Sequence, residues 1–200
     1  MTITLLGCGG SHGVPLVGNR WGECDPDNPR NRRRRPSVFV EWDGVNFLID
    51  TGPDLRAQLL DAEIDRIDAV LYTHSHADHT HGIDDLRYIS RRMGGQRVNI
   101  FADLRTLKLL HKRFHYAFNK DPDKHYPPIL KAHEIEGRFE IGPVKIAPFV
   151  QDHGPIDSIG YRFGAFAYST DVVSLDDKAF EALAGVEVWI VDALQIEPHP

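Results

Sequence analysis

The sequence predicts a layered α/β fold with mixed sheets, and three observations carry that expectation. Short apolar runs with strand patterning dominate both ends of the chain. Helical patterns fall between them without the strict strand–helix alternation of a doubly wound sheet. The composition, 42% hydrophobic and 26% charged over 200 residues, is that of an ordinary globular chain. A chain of this length buries a core without disulfide or metal staples, and it reads as one domain spanning residues 1–200.

Taken in order, residues 3–6 read as a strand running into Gly7-Cys8-Gly9-Gly10. Residues 37–42 and 45–49 are apolar runs separated by Asp43-Gly44, a pair that favours a two-residue hairpin turn. Residues 55–60 read as a short helix capped by Asp54. Residues 69–72 form a buried strand pattern and residues 82–92 a helical one. After a strand over 98–101, Leu107, Leu110, Phe114 and Phe118 recur at three- to four-residue spacing and predict one helix over 103–118. Residues 119–128, rich in Pro, Asp and Lys, read as a loop. Strands follow over 144–150, 158–163 and 166–169, then a helix over 176–183 and a strand over 186–191.

Several function classes are disfavoured. No apolar run approaches the ~18–20 residues of a membrane span, so no membrane partner is expected. Residues 1–10 lack the basic lead and apolar core of a signal peptide. Two cysteines, Cys8 and Cys24, with no Cys-x-x-Cys, rule out a disulfide framework and predict a reduced, cytoplasmic setting. A net charge of −6 argues against a large nucleic-acid partner, which needs a broad basic face. Homo-oligomerisation stays open.

Histidine is the unusual residue, with eleven in the chain. The segment Thr73-His74-Ser75-His76-Ala77-Asp78-His79-Thr80-His81-Gly82 follows an apolar strand and precedes a helix, where ligands gather in α/β folds. Imidazole and carboxylate together suit zinc, iron or manganese. His74 and His76, two apart at a strand end, point the same way. Asp78 and His79 fall in the turn beyond and reach a second point, which is what a two-metal site demands. His81 lies just outside this pattern.

The pattern Thr-His-x-His-x-Asp-His resembles the signature of the metallo-β-lactamase-fold hydrolases. The resemblance extends along the chain. Asp50 in Leu48-Ile49-Asp50-Thr51-Gly52 is similar to the family's Asp-x-Gly turn that supports the ligand loop. Gln151-Asp152-His153-Gly154 resembles the third motif and Ser169-Thr170-Asp171 the fourth, and each also follows an apolar run. The resemblance implies an αββα sandwich of two mixed β-sheets flanked by helices, holding two divalent metal ions, zinc or manganese. It places His74, His76 and His153 on the first metal, Asp78 and His79 on the second, and Asp171 between them. A bridging hydroxide would be the nucleophile, with Asp78 also orienting it as a catalytic residue. The family has one more histidine on the second metal, at the end of a late strand. His199 is the only histidine after the last strand here, and it follows Pro198 in no strand. The chain therefore reads as lacking a final helix and strand, with the second metal weakly held and the edge at residues 186–191 open.

Leu6-Gly7-Cys8-Gly9-Gly10-Ser11-His12-Gly13-Val14-Pro15 is similar to the opening loop of the phosphodiesterase branch of that family. This branch includes tRNA 3′-processing endonucleases and phosphoribosyl cyclic-phosphate phosphodiesterases. In the latter, the next segment carries clustered cysteines for a structural zinc; only Cys24 stands here, so no structural zinc is expected. The run Arg30-Asn31-Arg32-Arg33-Arg34-Arg35 reads first as a solvated basic loop, although arginine also matches phosphate oxygens bidentately. Arg35, His12, His115 and His125 are candidate substrate contacts. The function implied is a metal-dependent phosphodiesterase acting on a small cyclic or nucleotide-like phosphate. The alternatives are an RNA-processing endonuclease, a thioester hydrolase of the same fold, or a catalytically silent metal-binding fragment.

Overall fold

The computed structural model describes residues 1–120 and 127–193. The chain divides into two compact units, Met1–Glu134 and Ile135–Pro200. Each is built on one mixed sheet with helices, which agrees with the predicted fold class.

The first unit carries a six-stranded sheet in sequential order: β1 (Thr2–Gly7), β2 (Ser37–Trp42), β3 (Val45–Ile49), β4 (Ala69–Leu71), β5 (Val98–Ala102) and β6 (Leu130–Glu134). β1, β2 and β3 pair antiparallel, and β3 to β6 run parallel. The hairpin between β2 and β3 turns at Asp43-Gly44, with φ 48° and 78°. This is the left-handed pair that matches the twist of the flanking strands. The parallel strands need crossovers. These carry α1 (Leu55–Asp61), α2 (Ala77–Thr80), α3 (Leu86–Arg92), α4 (Leu104–Arg113) and α5 (His115–Phe118). Val98, Ile100 and Ala102 of β5 alternate into the core beside Leu55 and Leu59 of α1, Leu86 and Ile89 of α3, and Leu107 and Leu110 of α4. Residues two apart on a strand share a face, so one alternating run buries three side chains against the helices.

The second unit has a five-stranded sheet in the order β11-β10-β9-β8-β7. Its strands are β7 (Phe139–Ile141), β8 (Val144–Asp152), β9 (Asp157–Phe163), β10 (Phe166–Ser169) and β11 (Val188–Val191). β10 and β11 pair parallel around α6 (Asp177–Leu183), and the other pairs are antiparallel. Phe149, Ala167, Ala179 and Leu183 form the core between α6 and the sheet. β11 lies at a sheet edge, with Val188, Trp189 and Val191 exposed. Among the described residues, no helix is long and apolar enough to cross a membrane.

Three expectations need correction. The helix expected over 103–118 is two helices, broken at Phe114 (φ −122°, ψ 34°). Residues 82–92 begin as a 3-10 turn over Ile83–Asp85 before α3. Asp54 occupies the cap position of α1 but does not cap it with its side chain. Its carboxylate instead accepts from the backbone N–H of Arg35 (2.9 Å) and from the Arg35 guanidinium (3.0 Å). Asp103 and Asp176 do cap, accepting from the N–H groups of Thr106 (2.9 Å) and Ala179 (2.8 Å).

Candidate metal centre

In the first unit the site grows from the end of β4. Tyr72 still donates its N–H to Phe101 (2.9 Å), and the chain then leaves the sheet at Thr73. His74 and His79 are buried and His76 is exposed. The rings of His74 and His76 lie 4.6 Å apart, and those of His74 and His79 4.3 Å. The two histidines at i and i+2 therefore do converge. Asp78 Oδ2 stands 3.3 Å from His79 Nε2.

Asp50 organises this loop. It is fully buried and left-handed (φ 62°), a conformation a non-glycine residue keeps only when its surroundings hold it. Its carboxylate accepts from the Thr73 N–H (2.8 Å) and the Thr73 hydroxyl (2.7 Å), and it bonds His79 Nδ1 (2.7 Å). A carboxylate accepts only, so Nδ1 of His79 carries the proton and Nε2 is the donor atom for a ligand. The Thr73 hydroxyl has spent its proton on Asp50. It therefore accepts from His74 Nδ1 at 3.0 Å, and His74 too presents Nε2 as a lone pair. One buried carboxylate thus sets the tautomer of two histidines, which is how metal-binding imidazoles are commonly oriented.

The backbone locks the two loops together. Thr51 N–H donates to His79 (2.7 Å) and Gly82 N–H to Thr51 (2.7 Å). A Cβ on Gly82 would lie 2.1 Å from the Gly52 carbonyl oxygen, so only glycine permits this approach. The Thr51 hydroxyl bonds the Tyr72 hydroxyl (2.8 Å), and burial pushes that phenol's pKa far up, keeping it neutral. The Arg113 guanidinium, at the end of α4, donates to the carbonyl of Ser75, the residue between His74 and His76.

In the second unit, two strand ends carry the other predicted ligands. His153 follows β8, and Asp171 follows β10 with φ 51°. His153 Nε2 and Asp171 Oδ2 lie 3.7 Å apart, and both side chains are about four-fifths buried. The Asp171 carbonyl accepts from the Ser158 hydroxyl (3.1 Å), which in turn accepts from the Gln151 amide (2.9 Å). Asp152 accepts from the Gly154 N–H (2.8 Å) and the Ser174 hydroxyl (2.9 Å), which bends the chain at His153 and holds the Asp152 carboxyl below its usual range.

In the first unit, the imidazole nitrogens whose tautomers Asp50 sets, with the Asp78 carboxylate beside His79, form a donor set that fits zinc or manganese; in the second, His153 and Asp171 pair an imidazole with a carboxylate of the same kind. Sequence reading had Thr73 only as the opening residue of the histidine signature, with no role of its own, and did not single out Arg113 or Asp192. Asp192 follows β11, and burial with the neighbouring Asp171 charge raises its carboxyl pKa. The strand-end rule that found His153 and Asp171 also points to Asp192. Nothing local signals Arg113, since its partner lies 38 residues away.

Of the remaining candidates, His12 and Arg35 line one cavity of the first unit. His115 opens α5, exposed, with its ring edge-on to Tyr116. His81 is exposed and packs edge-on against Phe114 at 5.6 Å. His125 and His199 lie outside the described residues.

Comparison with known proteins gives a consistent picture of the family. The model for the beta-lactamase superfamily domain matches residues 45–200. A solved diphosphatase of the PhnP family is 40% identical, with a TM-score of 0.87, over 99% of this chain and 75% of that one. Zinc-bound PqqB from Methylobacterium extorquens shares the fold (TM-score 0.70, 21% identity, 96% of this chain and 72% of that one). Among curated proteins, an octanoyltransferase of Porphyromonas gingivalis is 35% identical over all of this chain and 41% of its own length. A ribonuclease Z of Clostridium kluyveri is 33% identical over 86% of this chain and 49% of its own. The chain thus spans half or less of these curated relatives.

Proposed function

The chain belongs to the beta-lactamase superfamily, and from that premise we propose that it is a metal-dependent phosphodiesterase for a small substrate, a cyclic phosphate or a nucleotide-like phosphodiester. The observation that supports this most is the Asp50–Thr73–His74 and Asp50–His79 arrangement, which readies two imidazole nitrogens for metal. In this reading His74, His76 and His153 hold one ion, Asp78 and His79 hold a second, and Asp171 serves both. The second ion is the weaker held, with one imidazole against three. Divalent ions bound there supply Lewis acidity toward phosphate oxygens and lower the pKa of bound water. Asp78 carries the added role of orienting the attacking water. The likeness to a PhnP-family diphosphatase favours a small phosphate substrate, and the net charge of −6 favours it over a long RNA.

The ribonuclease Z relatives favour a second reading, cleavage of RNA. Three substrates presented to the zinc- or manganese-loaded protein separate the readings: a small phosphodiester such as bis(p-nitrophenyl) phosphate, a tRNA precursor and a thioester. The expected result is turnover of the small phosphodiester, lost at least 100-fold in His74→Ala/His76→Ala. Unchanged turnover in that double variant removes the metal reading. Preference for the tRNA precursor replaces the small substrate with RNA, and thiol release replaces phosphodiester chemistry altogether. No turnover with metal bound leaves a silent metal-binding protein.

A further inference from the structure

The segment between β1 and β2 carries the most concentrated charge in a chain whose net charge is −6. It folds back on the glycine-rich loop after β1. Val14 and Arg33 exchange backbone hydrogen bonds (2.9 Å each), and Gly9 N–H donates to the Arg34 carbonyl (2.8 Å). Gly13 is left-handed (φ 69°), and a Cβ there would stand 3.0 Å from the Arg33 carbonyl oxygen, so glycine permits the close approach. The fold-back shapes a half-open cavity of about 210 Å³ whose lining includes His12, Arg32, Arg33, Arg34, Arg35 and Asp54.

The four guanidinium groups are not equivalent. Arg34 pairs with Asp61 (2.7 Å) and Arg35 with Asp54 (3.0 Å). Arg32 lies over the Trp21 ring at 5.2 Å, and Arg33 donates to the Cys8 sulfur at 3.2 Å. Neither partner is a carboxylate, so neither forms an ion pair with the guanidinium it touches. A stacked arginine also keeps its N–H edge for an oxyanion. Arg32 and Arg33 both line the cavity, and among the described residues neither forms an ion pair. The cavity is smaller than the ~300–1,000 Å³ that holds a whole small ligand, so it suits one group of a larger molecule.

The cavity also stands next to the ligand loop. A Cβ on Gly52 would lie 2.3 Å from the Asp78 carbonyl oxygen and 3.4 Å from Arg35 Cβ. The Asp50-to-Asp54 loop therefore has the ligand residue Asp78 on one side and the arginine wall on the other. We propose that this cavity is an anion subsite in which Arg32 and Arg33 bind a second phosphate of the nucleotide-like substrate, remote from the phosphodiester bond that is cleaved. The identity of that ligand as substrate rests on the hydrolase reading above; the anion site itself does not.

The test is calorimetric titration of the full chain, stripped of metal and dialysed free of chelator, with pyrophosphate, inorganic phosphate and a twelve-nucleotide single-stranded RNA. Pyrophosphate is expected to bind, more tightly than phosphate, and to weaken as salt is raised. Arg32→Gln/Arg33→Gln is expected to weaken it at least tenfold, with Arg33→Gln alone as the milder variant should the double substitution disturb folding. Absence of pyrophosphate binding, or equal binding by the single variant and the wild type, overturns the proposal. RNA binding tighter than pyrophosphate through the same arginines replaces the small ligand with RNA. Arginine-dependent pyrophosphate binding in a protein that hydrolyses no phosphate ester overturns the hydrolase reading and leaves the anion site standing.

Discussion

At the scale of single residues, Asp50 does the most organising. Its carboxylate takes three hydrogen bonds in a fully buried setting, and two of them decide which nitrogen His74 and His79 present. Asp50→Asn keeps the shape but replaces one acceptor oxygen with a donor, so Thr73 and His79 can no longer both be satisfied. Metal affinity is expected to fall about 10–100-fold, the usual effect of losing such an inner partner. A zinc-chelator competition measures this, and equal affinity in the variant refutes the tautomer argument. Gly82 offers a purely steric check. The Gly52 carbonyl oxygen occupies the space of its Cβ, so Gly82→Ala is expected to lower stability by about 1–3 kcal/mol, as overpacking does. A denaturant midpoint equal to wild type contradicts that.

At the scale of elements, the sequence and the structure part where tertiary contacts decide. The Asp43-Gly44 hairpin was legible because it is settled by a few neighbouring residues, whereas the caps at Asp103 and Asp176 were not singled out although each bonds only three residues ahead. β6 was not, because Leu130-Lys131-Ala132-His133-Glu134 sits at a sheet edge with only Leu130 buried and so shows no apolar alternation. Asp54 was misread as a cap because Arg35, its actual partner, comes from 19 residues away. The break at Phe114 was invisible for a related reason: the apolar spacing runs straight through it. The residue before the break, Arg113, reaches the Ser75 carbonyl in the ligand loop. That contact ties the end of α4 to the His74–His76 pair. Arg113→Met keeps the side-chain stem and removes the donor, so it is expected to weaken zinc binding up to tenfold while leaving the metal-free melting temperature within about 2 °C, the size of a surface change. Arg113→Lys, which can still donate, restores most of the affinity. A metal-free melting temperature that falls while affinity holds would instead make Arg113 a fold-stabilising residue.

At the scale of the whole molecule, the family and both mixed sheets could be read from strand-end motifs spread over the chain, since each ligand type recurs where an apolar run stops. Stability against pH could not, because it depends on environments that only the fold creates. His133 is such a case. On β6 its ring stacks on Phe101 of β5 (4.6 Å between centroids, 14° between planes), and its Nε2 donates to Asn99 Oδ1 (2.9 Å). Burial, with Lys131 two residues away, lowers its pKa below the ordinary histidine value. Above pH ~6.5 the imidazole is neutral in both folded and unfolded chains and contributes nothing to the pH dependence. As pH falls through that value the unfolded chain takes up a proton that the folded chain resists. Unfolding is then favoured until the pH drops below the folded pKa, where the loss levels off. His133→Gln keeps a side-chain donor for Asn99 and removes the titration. Its urea midpoint is therefore expected to gain on wild type as pH is lowered from 7.5 to 5.5, and parallel midpoints across that range would show that His133 titrates as it does in the unfolded chain.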